Sequence, residues 1–379
     1  MKRMARGSYG YGHSYGYGGE QQPEDRLTSL SDDLLISILS HIDTKQAVQS
    51  SILSKRWVNL WTLLPVLNFT CDQDQNPPNP PDNDGYTFIH NVFARRNASI
   101  MIEKLSANVS DHYTMFRVFN DALSLRVSDL RIDCSENIVK HYPISCVDSS
   151  DLLMSLSLKG MVEFGYFPRF DGLVKLRLER VKIVENEAFS SFVNLEELFL
   201  VNCKMEVDSS GLEVVADKLW RLTISSCFHT PVAYPGLVLS TPNLVVFELE
   251  GLIPMVFEAV EELPALHTVH IDALFSYGAP ELPFEQQKIN LIKIIGSFKY
   301  AACVHLTPST VELLSLSASL IVQEHCPFED LKFLNLIPPP NKPVTRLDSC
   351  VVAYLLKDYP KAVVKALPRS VGMPMRRLT

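Results

Sequence analysis

The apolar residues of the stretch 30–65 recur at the spacing of short amphipathic helices. The first predicted helix follows Ser31, a good N-cap, and its apolar face consists of Leu34, Leu35, Ile38, Leu39 and Ile42. The second helix carries Ala47, Val48, Ile52 and Leu53, and the third carries Trp57, Leu60, Trp61 and Leu64 before Pro65 ends it. Helices this short bury little surface by themselves, so we expect the unit to need a partner surface.

A second pattern, apolar-x-x-apolar-x-apolar, recurs along the rest of the chain. Clear matches begin at Leu153, Leu173, Leu195, Leu219, Leu244, Leu266, Ile289, Val311 and Leu331, and weaker ones at Ile102 and Val127. The spacing of 20 to 26 residues falls within the window of leucine-rich repeats, in which each repeat contributes one strand. The alternative, an ordinary α/β domain with leucine-rich strands, does not require so regular a spacing.

The helical stretch contains Leu30-Ser-Asp-Asp-Leu-Leu-Ile-Ser-Ile-Leu-Ser, Thr44-Lys-Gln-Ala-Val and Leu53-Ser-Lys-Arg-Trp-Val-Asn-Leu-Trp. These motifs resemble the F-box of plant F-box proteins with leucine-rich repeats. The resemblance implies docking to the Skp-type adaptor of a cullin-based ubiquitin ligase. The adaptor-binding residues that it implies are Leu30, Leu34, Leu35, Ile38, Leu39, Val48, Leu53, Trp57, Leu60 and Trp61. The chain departs from the family at Ser31 and Asp43, where proline is usual, and at Gln49, where arginine is frequent, so we expect these positions to affect adaptor affinity.

These patterns predict an α/β protein: a short three-helix F-box, then a leucine-rich-repeat solenoid, or horseshoe, with a C-terminal capping helix at 350–360. The predicted divisions are a disordered Gly/Tyr-rich tail at 1–24, the F-box at 25–70, a Pro/Asn/Asp-rich linker at 71–85, the repeats with their cap at 86–367 and a basic tail at 368–379.

Composition narrows the class of protein. A net charge of −8 disfavours a nucleic-acid binder, because phosphate contacts need clustered Lys and Arg. The sequence has no apolar run that could span a bilayer or act as a signal peptide, so we expect no membrane partner and a cytoplasmic or nuclear location. The eight cysteines include no C-x-x-C pair, which disfavours a zinc or disulfide framework; Cys203 and Cys227 fall on core positions of the repeats. We expect no metal and no cofactor.

No catalytic motif is present, so the candidate chemistry is that of a binding surface. On a solenoid, the residues between the inward leucines would line the concave wall. Those predicted to bind a target protein are Glu248, Glu250, Asp272, Leu291, Ile295, Leu313 and Phe333. For the apolar members of this set, coverage by the segment 341–360 is the alternative.

With the resemblance, this surface indicates a non-catalytic subunit that selects targets for a Skp, cullin and F-box ubiquitin ligase. Two other functions stay open. One is a scaffold protein whose F-box has lost the adaptor. The other is a small-molecule receptor, for which only the basic cluster Lys159, Lys175, Arg177 and Arg221 could supply a polyanion site.

Overall fold

The computed structural model describes residues 27, 29–70, 85–135, 142–143, 151–165, 167, 169–208, 210–228, 235–274, 283–336, 348–357 and 362–366. The predicted tail at 1–24, the linker up to residue 84 and the basic tail at 368–379 lie outside the described residues. Helices (α), 3₁₀ helices (η) and strands (β) are numbered in chain order.

The N-terminal unit contains α1 (Asp32–Leu39), α2 (Thr44–Gln49), η1 (Ser50–Ile52) and η2 (Trp57–Leu63). Ser31 caps α1 as predicted, since its Oγ accepts a hydrogen bond from the Leu34 amide at 3.4 Å. The third predicted helix is a 3₁₀ helix instead. Val58, Asn59 and Thr62 are weak α-formers, and Pro65 follows directly, which leaves no room for a longer regular helix.

Among the described residues, the main sheet has twelve parallel strands that lie side by side in chain order. They are β1 (Val66–Phe69), β2 (Lys104–Val109), β3 (Asp129–Cys134), β5 (Ser155–Lys159), β7 (Lys175–Glu179), β9 (Glu197–Val201), β12 (Arg221–Ser225), β14 (Val246–Leu252), β16 (Thr268–Leu274), β17 (Cys303–Leu306), β18 (Phe333–Leu336) and β19 (Val363–Ala366). Burial alternates along most strands, as in β7, where Leu176 and Leu178 are buried and their neighbours are not. The predicted mixed α/β class is confirmed.

The connections between these strands carry the remaining elements. Short connections hold two small parallel sheets, one of β4 (Tyr142–Pro143), β6 (Val162–Phe164), β8 (Lys182–Ile183) and β10 (Lys204–Met205), the other of β11 (Leu212–Val215), β13 (Leu237–Ser240) and β15 (Phe257–Ala259). Longer connections hold the helices α3 (Gly85–Arg95), α4 (His112–Ser124), α5 (Phe284–Gly296), α6 (Pro308–Ser315), α7 (Ala318–Ile321) and α8 (Ser349–Leu356). No helix of the described residues has the length and apolarity that crossing a membrane requires.

Two of the predicted repeat positions are wrong. The pattern at Ile289 lies in α5 and that at Val311 lies in α6, while the strand of this region, β17, follows Ala301. Residues at i and i+3 share one face of a helix, and a third apolar residue at i+5 is common in an apolar-rich helix, so a template this short could not separate a helix from a repeat strand. The other nine matches each lead into a strand of the main sheet.

The same error misplaced three predicted target-binding residues. Leu291 and Ile295 are buried on α5, and Leu313 is buried on α6, so none of them lines an exposed wall. They are core residues that attach these helices to the protein. The helix predicted at 350–360 exists as α8 and contacts α6 and α7. It is not the last element, however, because β19 follows it and pairs with β18.

The repeat interior contains both predicted core cysteines. Cys203 and Cys227 are buried, and the Cys203 amide donates to the Cys227 sulfur at 3.4 Å. Burial raises the pKa of the Cys227 thiol well above 9.0, which keeps this group protonated. Both cysteines are therefore packing residues of neighbouring repeats.

Candidate functional site

The N-terminal unit contributes several side chains to the apolar core. Leu35, Leu39, Trp57 and Leu60 are buried in the cluster that continues into the main sheet. In this conformation the four side chains hold the unit together, and their contact with the adaptor stays a prediction. Leu30, Val48 and Trp61 are half-buried and pack against the same core.

Five other apolar side chains of this unit point away from that core. The exposed fraction is 53% for Leu34, 45% for Ile38, 88% for Ile52, 63% for Leu53 and 46% for Val58. Leu34, Ile38 and Leu53 were predicted contact residues, whereas Ile52 and Val58 were missed. The helical spacing predicts Ile52 on the apolar face of a longer second helix, but α2 ends at Gln49. We call these five side chains the apolar face.

Arg56, from the motif Leu53-Ser-Lys-Arg-Trp, fixes η2 to the start of α1. Its Nη2 lies 2.6 Å from Asp32 Oδ1 and donates to the Leu30 carbonyl at 2.5 Å, and its Nε donates to Asp32 Oδ1 at 2.7 Å. This charge-assisted contact joins α1, which carries Leu34 and Ile38, to η2, which carries Val58.

The departures from the resembled motif have structural roles of their own. Ser31 supplies the cap of α1 described above. Asp43 Oδ1 caps α2 by accepting from the Lys45 amide at 2.7 Å, and its Oδ2 accepts from the Thr70 amide at 2.8 Å and from Thr70 Oγ1 at 2.6 Å. Gln49 is the last residue of α2.

The main sheet has a second surface, formed by the residues between its buried leucines, which we call the sheet face. The basic cluster on it is neutralised by carboxylates on the same or neighbouring strands. The pairs are Lys159–Glu179 at 2.7 Å, Lys175–Glu197 at 3.4 Å, Arg177–Glu179 at 3.3 Å and Arg221–Glu248 at 3.0 Å. The structure therefore does not offer these four cations as an open polyanion site.

An aromatic side chain at the centre of this network was missed. Phe199 lies on β9, with Lys175 Nζ 5.1 Å and Arg221 Cζ 5.3 Å from its ring centroid. Arg221 also reaches Glu248, whose other oxygen accepts from Thr223 Oγ1 at 2.8 Å. Its position between Leu198 and Leu200 was a usable signal, because side chains alternate along a strand and Phe199 therefore lies on the face opposite the buried leucines.

The C-terminal part of the sheet face agrees only partly with the prediction. Phe333 on β18 is 39% exposed, and Lys365 Nζ lies 5.2 Å from its ring centroid. Glu250 is exposed and accepts from Ser225 Oγ at 2.9 Å. Asp272 is buried and accepts from Thr307 Oγ1 at 2.7 Å, so its assignment to an exposed charged rim is corrected.

Between these residues lies a histidine pair on adjacent strands. The rings of His270 and His305 are 5.9 Å apart, and Cys303 Sγ lies 3.3 Å from His305 Nε2. Burial and the neighbouring His270 lower the pKa of His305 below 6.5. Within the described part of the chain, no three His, Cys, Asp or Glu side chains are arranged to hold a metal ion.

Comparison with known proteins identifies the N-terminal unit. Residues 27–69 match the F-box domain family. A putative F-box/FBD/LRR-repeat protein of Arabidopsis thaliana is 26% identical over 361 residues, which cover 86% of this chain and 71% of the relative. An F-box/FBD/LRR-repeat protein of the same plant is 29% identical over 245 residues, covering 61% of this chain and 54% of the relative.

A third relative is named FBD-associated F-box protein, also from Arabidopsis thaliana. It is 30% identical over 261 residues, which cover 66% of this chain and 62% of that protein. The chain thus spans between 54% and 71% of the length of these three relatives. Residues 27–69 thus carry an F-box domain, and over most of its length the chain is similar to plant F-box/LRR-repeat proteins.

Proposed function

We propose that this protein is the substrate-recognition subunit of a Skp–cullin–F-box ubiquitin ligase. The F-box would dock the Skp-type adaptor, and the repeats would hold a target protein. The protein itself would perform no chemistry: it would raise the effective concentration of a target lysine near the ubiquitin-charged enzyme. The observation that carries the proposal is the apolar face of an F-box unit that is already folded.

The apolar face supports adaptor docking on energetic grounds. Exposed aliphatic side chains gain roughly 25 cal/mol for each Å² that a partner removes from water. Leu34, Ile38 and Leu53 combine exposure with the positions that the F-box resemblance implies. Arg56 and Asp32 join the start of η2 to α1 before binding, so little order has to be gained on docking.

A co-purification experiment with the full chain and the Skp-type adaptor tests this assignment. We expect Leu34→Ala combined with Leu53→Ala to abolish capture, since anchor residues of an interface each contribute on the order of 2 kcal/mol. Val322→Ala is the matched control, because Val322 is an aliphatic residue, 72% exposed, outside the F-box. Wild-type capture by the double variant would contradict the proposed contact.

For the repeats, we propose a leucine-rich solenoid whose sheet face is its concave wall. The parallel order of the strands and the regular burial of their leucines support this. The proposed target site retains Phe333, Glu248 and Glu250 and adds Phe199. Aromatic side chains inside a charged border are typical of recognition surfaces.

The target site can be tested after targets are identified as proteins that accumulate when the chain is deleted. We expect Phe199→Ala to speed dissociation of such a target and Glu250→Lys to slow its association. If both variants associate with the target and dissociate from it at wild-type rates, the target does not bind to the sheet face.

The alternative functions predict different results. A scaffold protein with an inactive F-box would bind targets but not the adaptor. A small-molecule receptor on the basic cluster has little support, because each of its cations already has a carboxylate partner. A cytoplasmic or nuclear location is proposed with the ligase function.

A further inference from the structure

The F-box unit is connected directly to the main sheet. Its last helix, η2, ends at Leu63, and β1 begins at Val66 and pairs with β2. The predicted F-box boundary at residue 70 therefore includes the first strand of the sheet. Phe69 at the end of β1 packs edge-to-face on Phe88 and Phe93 of α3, with ring centroids 6.1 Å and 5.8 Å away.

A set of polar contacts fastens the start of α2 to this strand. We call Asp43, Thr44, Asn68 and Thr70 the strand clamp. The backbone amide of Asn68 donates to Thr44 Oγ1 at 2.8 Å. The side-chain nitrogen of Asn68 donates to the carbonyls of Ser40 at 3.1 Å and Ile42 at 3.4 Å. Thr44 is buried, so its hydroxyl is shielded from competing water.

Asp43 uses both of its oxygens in this arrangement. Oδ1 caps α2 through the Lys45 amide, and Oδ2 receives the Thr70 amide and hydroxyl. One carboxylate thus joins the helix that follows α1 to the end of β1, and hydrogen bonds to a charged acceptor are stronger than neutral ones.

We propose that Asp43 is a positioning residue that sets the orientation of the apolar face relative to the sheet face. The resembled family usually has proline at this position. Proline fits the observed φ of −60° but has no acceptor for Thr70. Asp43 therefore accepts hydrogen bonds from Thr70 that a proline side chain could not accept.

The consequence for ubiquitin transfer rests on the proposed function. A fixed angle between the two surfaces would place a bound target at a defined distance from the adaptor, whereas a loose joint would spread the target over a larger volume and lower its effective concentration. The orientation itself is a property of this chain alone and can be measured without a target.

The experiment uses the full-length chain with genetically encoded spin labels at Ser37 on α1 and at Glu261 beside the main sheet, both exposed positions. We expect a narrow distance distribution for the wild type and a wider one for Asp43→Pro. In the same variant, the Asn68 and Thr70 amides should exchange with solvent roughly tenfold to hundredfold faster.

Thr44→Val and Thr44→Ser form an independent matched pair. The valine variant removes the acceptor for the Asn68 amide while keeping the shape of the side chain, so we expect a wider distribution; the serine variant keeps the hydroxyl and should retain the narrow one. This pair separates loss of the clamp from general destabilisation. A wild-type distribution for Asp43→Pro would overturn the proposal, whatever the result for Thr44→Val.

Adaptor capture is measured on the same variants without spin labels, because Ser37 lies beside Leu34 and Ile38, and this measurement separates the inference from the proposed function. We expect Asp43→Pro to retain capture while its distance distribution widens. If the wild type captures no adaptor, the ligase function fails, but the distance measurements still decide whether Asp43 sets the orientation.

Discussion

At the scale of single residues, the basic side chains of the sheet face form ion pairs with neighbouring carboxylates. Glu179 lies between Lys159 and Arg177, and Lys182 lies between Glu163 and Glu206 on the small sheet of β4, β6, β8 and β10. Such pairs fix side-chain positions more than they add stability, because most of them are partly solvated.

Glu179 provides a pH-dependent prediction. Burial by itself would raise the pKa of Glu179, but hydrogen bonds from Lys159 and Arg177 outweigh it and hold the pKa below 4.5. A carboxylate whose pKa is lower in the folded state stabilises the fold above its unfolded pKa, and that contribution is lost as the pH falls through the folded value. We expect Glu179→Gln to be less stable than the wild type at pH 7, with the difference shrinking between about pH 5 and pH 3.

Urea unfolding at several pH values measures this difference. Glu261→Gln, at an exposed turn, is the control for removing one negative charge. A difference between Glu179→Gln and the wild type that does not change with pH would contradict the assigned ion pairs.

Within the F-box, burial separates residues that hold the unit together from residues that face outward. Trp57 is 5% exposed, and truncation of a buried tryptophan removes about 3–5 kcal/mol from the free energy of unfolding. We expect Trp57→Ala to lower the thermal midpoint strongly, whereas Leu53→Ala should leave it close to the wild type. Equal midpoints for the two variants would show that Trp57 is not a core residue.

At the scale of elements, the repeats change character along the chain. From β5 to β16 the connections are short and carry small strands, whereas those around β17, β18 and β19 carry α5 to α8. Thr268 and Cys303, the first residues of β16 and β17, are 35 positions apart, because the connection between them contains a whole helix.

The burial of Leu313 on one of these helices can be tested by substitution. Because Leu313 is buried on α6, Leu313→Ala should reduce the free energy of unfolding by about 2–5 kcal/mol. Phe333→Ala, at a partly exposed site on β18, should cost less. Chemical denaturation of both variants measures the difference, and a larger loss for Phe333→Ala would contradict the placement of α6.

At the scale of the whole molecule, one continuous apolar core runs from the F-box to α8. The described cysteines Cys134, Cys203, Cys227, Cys303, Cys326 and Cys350 are free thiols. The stability of the array is then expected to come from packing between neighbouring repeats.

Accordingly, neither a chelator nor a reductant should move the thermal midpoint by more than about a degree or two, whereas removal of a structural zinc costs several kcal/mol. Scanning calorimetry of the full chain in EDTA, in a thiol reductant and in buffer alone measures this. A large shift in either condition would mean that a metal or a disulfide contributes to the fold.

The features that the sequence predicts correctly are local, whereas contacts between residues distant in the chain appear only in the structure. The spacing of leucines predicted nine strands of the main sheet, namely β2, β3, β5, β7, β9, β12, β14, β16 and β18. The helical spacing predicted α1, α2 and α8. These features are local: each depends on a period of two or of about 3.6 residues, and burial of the corresponding face follows from that period.

The tertiary structure decided what depends on neighbours distant in sequence. It placed Leu291, Ile295 and Leu313 in the core, because an apolar triplet alone does not distinguish a strand from a helix. It paired Lys159, Lys175 and Arg221 with carboxylates from neighbouring strands, which requires the register between strands. The sequence by itself thus determined the repeat and the F-box, whereas contacts across 24 to 28 positions, such as those of Asn68 and Thr70, decided which surfaces remain exposed and how the F-box is attached.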